Sequence, residues 1–85
     1  MSDSIELRVF TKRGCPWCIE AIKYLSREGY DFEEVDVSSD PEKFREMEEV
    51  SGQTYAPTLT FGDLMLADFG VDELEKFLKE NEIGA

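Results

Sequence analysis

The stretch from Ile5 to Gly29 limits the fold of this chain more than any other. Ile5-Glu6-Leu7-Arg8-Val9-Phe10 alternates in the period of a half-buried strand and puts Ile5, Leu7 and Val9 on one face. A loop from Thr11 to Gly14 leads into a helix that starts near Cys15. Pro16 suits its first position, because the missing N–H is not needed there and the fixed φ is already helical. Ile19, Ile22 and Leu25, with Ala21, supply the inward stripe, and Gly29 after Glu28 is the stop signal. Tyr30 to Val37 reads as the next strand, with imperfect alternation and crowded acids. Strand, helix and strand in this succession imply a right-handed parallel crossover.

The remainder completes the pattern. Ser38-Ser39-Asp40-Pro41 places a capping side chain before proline and so opens a second helix, with Phe44, Met47 and Val50 spaced by three and Gly52 at its end. Met47 reads as core filler. Thr58-Leu59-Thr60-Phe61 and Leu64-Met65-Leu66-Ala67 are short strands, and the Gly62-Asp63 link between them signals a tight hairpin. Val71, Leu74, Phe77 and Leu78 share one face of a last helix, opposite Asp72, Glu73, Glu75, Lys76 and Lys79, and the tail Asn81 to Ala85 is expected to fray. The order β-α-β-α-β-β-α implies a mixed four-stranded sheet with helices on both faces, built as one domain over residues 1–85.

Charge and leader signals narrow the function. The net charge of -11 argues against nucleic acid and anionic membranes, which both need a positive surface. Its distribution is uneven: residues 1–30 carry five Lys and Arg against four acids, whereas the rest carries four against sixteen. The acidity either keeps the chain soluble or forms a face for a basic partner. Met1-Ser2-Asp3-Ser4 has neither the basic start nor the apolar run of a signal peptide, and no stretch reaches the length of a membrane span, so a cytoplasmic location is expected. In that compartment a cysteine pair is expected to cycle rather than to serve as a permanent staple.

The only two cysteines lie in Lys12-Arg13-Gly14-Cys15-Pro16-Trp17-Cys18, three positions apart at a helix start. That spacing puts them about one turn apart, within reach of a disulfide. The free N–H groups and positive dipole end at Cys15 favour a thiolate, and Lys12 and Arg13 can add to this. Cys15 is therefore the expected nucleophile, and Cys18, deeper in the first turn, the residue that resolves the mixed disulfide. A metal site within one chain is not expected, because zinc takes about four ligands and the sequence has no histidine and no third cysteine.

The element order, Cys15-Pro16-Trp17-Cys18 directly after the first strand, and a proline before the third strand together resemble the glutaredoxin family over roughly Ile5 to Leu78. The resemblance implies an α/β, thioredoxin-like fold and thiol–disulfide exchange on protein or glutathione mixed disulfides. It also implies a cis Ala56-Pro57 bond facing the cysteines, with the backbone of Ala56 open to pair with an extended substrate. Lys12 matches a family lysine that contacts the glutathione carboxylate. Trp17 is read as docking surface, and Tyr55 as either groove lining or simple packing.

The chain also departs from the glutathione-using pattern. It has Tyr55-Ala56-Pro57 where those proteins carry Thr-Val-Pro, and Phe69-Gly70 where they carry Gly-Gly, so that Phe69 is expected to fill space the tripeptide needs. Gly70 and Asp72 remain candidate binding residues, with helix capping the alternative for Asp72. Gly62-Asp63-Leu64 with Phe69 and Asp72 resembles the redoxins that supply ribonucleotide reductase and draw on thioredoxin reductase. The resemblance thus implies a monomer without a tightly bound cofactor, with glutathione or thioredoxin reductase and NADPH as electron source. Its alternative is an iron–sulfur carrier that uses Cys15 and glutathione in a dimer.

Overall fold

The computed structural model describes residues 6–84. Ile5, the first residue of the expected strand, and Ala85, the last of the expected tail, lie outside the described residues. The elements are β1 (Leu7–Thr11), α1 (Pro16–Arg27), β2 (Glu33–Asp36), α2 (Pro41–Ser51), β3 (Thr58–Phe61), β4 (Leu64–Ala67) and α3 (Val71–Glu80), the expected order. The sheet runs β2-β1-β3-β4, with β1 parallel to β2 and the other two pairs antiparallel. Val9 pairs with Leu59 at its centre.

Three punctuation signals act as expected. Asp40 caps α2 through bonds from the backbone of Glu42 at 3.0 Å and Lys43 at 3.4 Å, and Pro41 follows in the first turn. Gly52 ends that helix at φ 71°, a conformation that side-chain-bearing residues adopt at a penalty. At the hairpin, Gly62 takes φ 60° and Phe61 pairs with Leu64 across it.

The core has two parts, one on each face of the sheet. Leu7, Val9 and Leu59 meet Ala21 and Leu25 of α1, Leu74 and Leu78 of α3, and Phe69. On the other face Phe10, Val35 and Val37 meet Met47 of α2, with Phe44 packed alongside. Phe10 is fully buried, so β1 is covered on both faces, whereas its alternation alone implies burial on one. Edge strand β2 buries only Val35, and its three acids remain exposed. Arg8 answers two of the nearby acids: Nε donates to Glu33 at 3.1 Å and Nη1 to Glu46 at 2.6 Å. The hydrogen bond from Arg8, reinforced by its charge, holds the Glu46 carboxyl below its usual range.

Four sequence readings need correction. Ile19 is 52% exposed, because the inward line of α1 runs through Cys18, Ala21 and Leu25 instead. Val50 is also exposed, lying just before the end of α2, where it lines an open surface groove with Leu64 and Met65. The second strand is shorter than Tyr30 to Val37; Tyr30 and Phe32 pack against the main core before it begins. The tail does not fray from Asn81. Ile83 is buried, its N–H donates to Leu78 O at 2.8 Å, and Tyr30 Oη donates to its carbonyl at 3.1 Å.

Candidate functional site

Cys15 is the N-cap of α1 and forms a disulfide with Cys18, the two Cα atoms being 5.2 Å apart. Its Sγ accepts the Cys18 backbone N–H at 3.2 Å, one of the donors that a helix start leaves without an intrahelical partner. The same bond and the positive end of α1 are available to a Cys15 thiolate. The sulfurs are not equivalent: Cys15 is half-buried, whereas Cys18 is 2% exposed. Attack on an incoming sulfur is open to the first and closed to the second.

The loop before β3 comes to the same place. Ala56-Pro57 is cis, Pro57 is buried, and Ala56 O lies 3.9 Å from Cys15 Sγ. In the disulfide this sulfur carries no proton, so the approach is a contact rather than a donated hydrogen bond. Asp68 N donates to Pro57 O at 2.9 Å, which joins the end of β4 to the loop and brings Gly70 to the cysteine side. Trp17 and Tyr55 are 62% and 64% exposed, too open for residues whose role is packing.

Trp17 leans over Gly70. A Cβ on Gly70 would stand 3.2 Å from an indole carbon and 3.1 Å from Glu73 Oε1, so a side chain there would crowd the groove. Its φ is -102°, and the need for glycine is therefore one of space. Trp17, Asp68, Phe69, Gly70 and Glu73 line a groove of about 190 Å³, next to a wider one lined by Trp17, Glu20, Gly70, Val71, Asp72 and Glu73. The walls carry carboxylates and no cation.

The structure separates the sequence-derived candidates. Cys15, Trp17, Ala56, Pro57 and Gly70 are brought together, with Tyr55 beside Ala56. Lys12 turns to the loop: its Nζ donates to Thr54 O at 2.7 Å and lies 5.4 Å from the Phe44 ring centre. Phe69 is buried in the main core, so it lines the groove wall rather than filling its space as its size implied. Asp72 is not the helix cap. The N-cap is Gly70, and Glu73 performs the reverse half of a capping box, Oε1 accepting the Gly70 N–H at 2.7 Å. The sequence reading missed Glu73, although its position three residues after an N-cap was a usable signal.

Among the described residues, no group of three or more His, Cys, Asp or Glu side chains is arranged to hold a metal ion. One chain offers a single accessible sulfur, which does not build a four-ligand iron–sulfur site. No helix among the described residues is long and apolar enough to cross a membrane.

Comparison with known proteins agrees with this arrangement. The glutaredoxin family model matches residues 7–65. A glutaredoxin of Pseudomonas aeruginosa is 30% identical over 77 residues, which is 91% of this chain and 89% of that protein. The N-acetyl-S-hydroxy-L-cysteine reductase of Bacillus subtilis is 36% identical over 63 residues, 73% of this chain and 67% of that protein. Among solved structures, the glutaredoxin-like protein NrdH-redoxin from Escherichia coli superposes with a TM-score of 0.68 at 26% identity, over 82% of this chain and 91% of that one. The fold is thioredoxin-like, as the resemblance implied.

Proposed function

This chain belongs to the glutaredoxin family, and from that premise we propose that it reduces protein disulfides by a dithiol cycle and is itself reduced by thioredoxin reductase rather than by glutathione. The observation that carries the reaction is the asymmetry of the pair: a half-buried Cys15 at a helix N-cap and a Cys18 that is 2% exposed one turn deeper.

The cycle balances in two exchanges. The reduced Cys15 thiolate attacks one sulfur of a substrate disulfide, forming a mixed disulfide and expelling the other sulfur as a thiolate that takes up a proton. Cys18 then loses its proton and attacks Cys15 Sγ. The second substrate sulfur leaves, and the protein is left with the Cys15–Cys18 disulfide. Two electrons have moved from the protein dithiol to the substrate. During the first step Ala56, beside Cys15, pairs with the substrate backbone, and Pro57 and Gly70 shape the groove under Trp17 and Tyr55.

The choice of reductant rests on the groove. Glutathione carries two carboxylates and one ammonium group. Here the Gly70 N–H at the α3 start is already taken by Glu73, and Asp68 lines the same groove while Glu20 and Asp72 line the one beside it. Lys12, the candidate partner for a glutathione carboxylate, is engaged with Thr54 O. The likeness to NrdH-redoxin, a protein described as having a thioredoxin-like activity profile, supports the same choice. Ribonucleotide reductase is one protein disulfide of this class, and the cytoplasm is the compartment in which such a cycle runs.

NADPH consumption tests both parts, run in parallel with thioredoxin reductase and with glutathione plus its reductase. Turnover with the first system and little with the second is expected; faster turnover with glutathione would overturn the reductant assignment. Cys15→Ser should abolish disulfide reduction, and Cys18→Ser should accumulate a mixed disulfide visible by mass. Dithiol activity retained in Cys15→Ser would remove the mechanism.

A further inference from the structure

We propose that Gln53 is a positioning residue that fixes which backbone position, Ala56 rather than Tyr55, meets the substrate; the inference rests on the disulfide-reductase reading above. The segment from Gln53 to Pro57 has no regular secondary structure, yet four of its five carbonyls and the N–H of Tyr55 are held by hydrogen bonds. Thr54 O accepts from Lys12 Nζ at 2.7 Å, and Pro57 O from Asp68 N at 2.9 Å. Tyr55 is held at both ends: its N–H donates to Gln53 Oε1 at 2.7 Å, and its carbonyl accepts from Thr58 Oγ1 at 2.7 Å. Ala56 N–H has no partner among the described residues, and Ala56 O faces Cys15 Sγ.

The carboxamide of Gln53 organises this arrangement. Its oxygen takes Tyr55 N–H, and its nitrogen donates to Ser51 Oγ at 2.8 Å and Thr58 Oγ1 at 2.9 Å. The hydroxyl protons are committed elsewhere, that of Ser51 to Met47 O at 2.6 Å and that of Thr58 to Tyr55 O. Both hydroxyls must therefore accept from this position, and a group with two donors and an acceptor answers all three neighbours. Thr58 is fully buried, so water does not substitute for the amide at that end.

The consequence is a matter of register. An added strand pairs through the backbone of one residue at a time, and a slip by one residue turns every side chain of the substrate to the opposite face. With both backbone groups of Tyr55 occupied, that slipped pairing is closed, and the substrate sulfur is delivered opposite Cys15. Loss of the amide frees Tyr55 N–H to compete and lets the loop leave the docking geometry.

The test uses the full chain, reduced and freed of reductant, mixed with an unstructured peptide holding one internal disulfide, under single-turnover conditions. Gln53→Ala is expected to raise the half-saturating peptide concentration about fivefold, the effect of lowering the docking-competent population to about one fifth. Its maximal rate, and the alkylation rate of Cys15 by iodoacetamide, a reagent that pairs with no backbone edge, should stay within about twofold of wild type. Thr58→Val should reproduce the rise and Thr58→Ser should abolish it. That pair supplies the comparison if Gln53→Ala does not fold. An unchanged half-saturation in folded Gln53→Ala overturns the proposal, as does a matching fall in alkylation, which would locate the defect in Cys15 itself. If wild type reduces no peptide at all, the disulfide-reductase reading falls first.

Discussion

Replacing Glu73 separates two things its carboxylate does at once. It accepts the Gly70 N–H at 2.7 Å and it places a negative charge in the groove beside Trp17. Glu73→Gln keeps an oxygen acceptor for the cap and removes the charge; Glu73→Ala removes both. The charge of a carboxylate at a helix N-terminus is worth about 0.3–1 kcal/mol. The hydrogen bond adds about 1 kcal/mol. For a domain of this size about 1 kcal/mol shifts Tm by about 4–8 °C. Glu73→Gln is thus expected to melt only a few degrees below wild type, and Glu73→Ala distinctly lower. The functional effect has the opposite sign. A ligand carboxylate about 4 Å from Glu73, in the water-like dielectric of an exposed groove, is repelled by about 1 kcal/mol. That is about fivefold in affinity. NADPH consumption with glutathione and its reductase should therefore rise about fivefold in Glu73→Gln over wild type, and the gain should shrink at high salt. Glu80→Gln, at the far end of α3, is the control for net charge. If glutathione serves Glu73→Gln no better than wild type, or serves Glu80→Gln equally well, the carboxylate does not keep the tripeptide out.

Three further perturbations test the scaffold. Met47 is fully buried at the centre of the second cluster, so Met47→Ala should lower unfolding free energy by about 2–5 kcal/mol in urea titrations. Asp40→Ala removes the side-chain cap of α2 and should cost about 1 kcal/mol by the same measurement. For Arg8 and Glu46 the pH dependence has a definite sign. The Glu46 carboxyl lies below its unfolded value, so the stability it adds is complete above the ordinary carboxylate range and is lost as pH falls through the depressed value. With Glu46 about one-third exposed, solvent screening limits this to about 1 kcal/mol. Arg8→Gln should be less stable than wild type near neutrality, and the gap should close as pH drops below about 4. A gap that persists unchanged to low pH would assign the role of Arg8 to its packing over Phe10 instead.

The local features that the sequence shows plainly are those in which neighbouring residues decide the outcome. Pro16 and Pro41 at helix starts, Gly52 and Gly29 at helix ends and Gly62-Asp63 at the hairpin act through their own backbone preferences, and each does so in the structure. The readings that failed involve a second element. Ile19 was expected inward, but Cys18, Ala21 and Leu25 take the inward line of α1 and leave Ile19 exposed. Phe10 is covered because α2 crosses the second face of the sheet, and Ile83 is buried because it joins the main core, its carbonyl held by Tyr30, 53 positions earlier.

The same division holds in the site. The sequence by itself pointed to the proposed reaction: two cysteines three positions apart at a proline-marked helix start are within reach of a disulfide, and the helix end makes the first of them the candidate nucleophile. Tertiary structure alone decided what stands around that pair. The Lys12 bond to Thr54, the approach of Ala56 O to Cys15 Sγ and the lean of Trp17 over Gly70 join residues 42, 41 and 53 positions apart. Periodicity carries no record of such contacts, because they depend on where folded elements bring an atom rather than on what lies next to it in the chain.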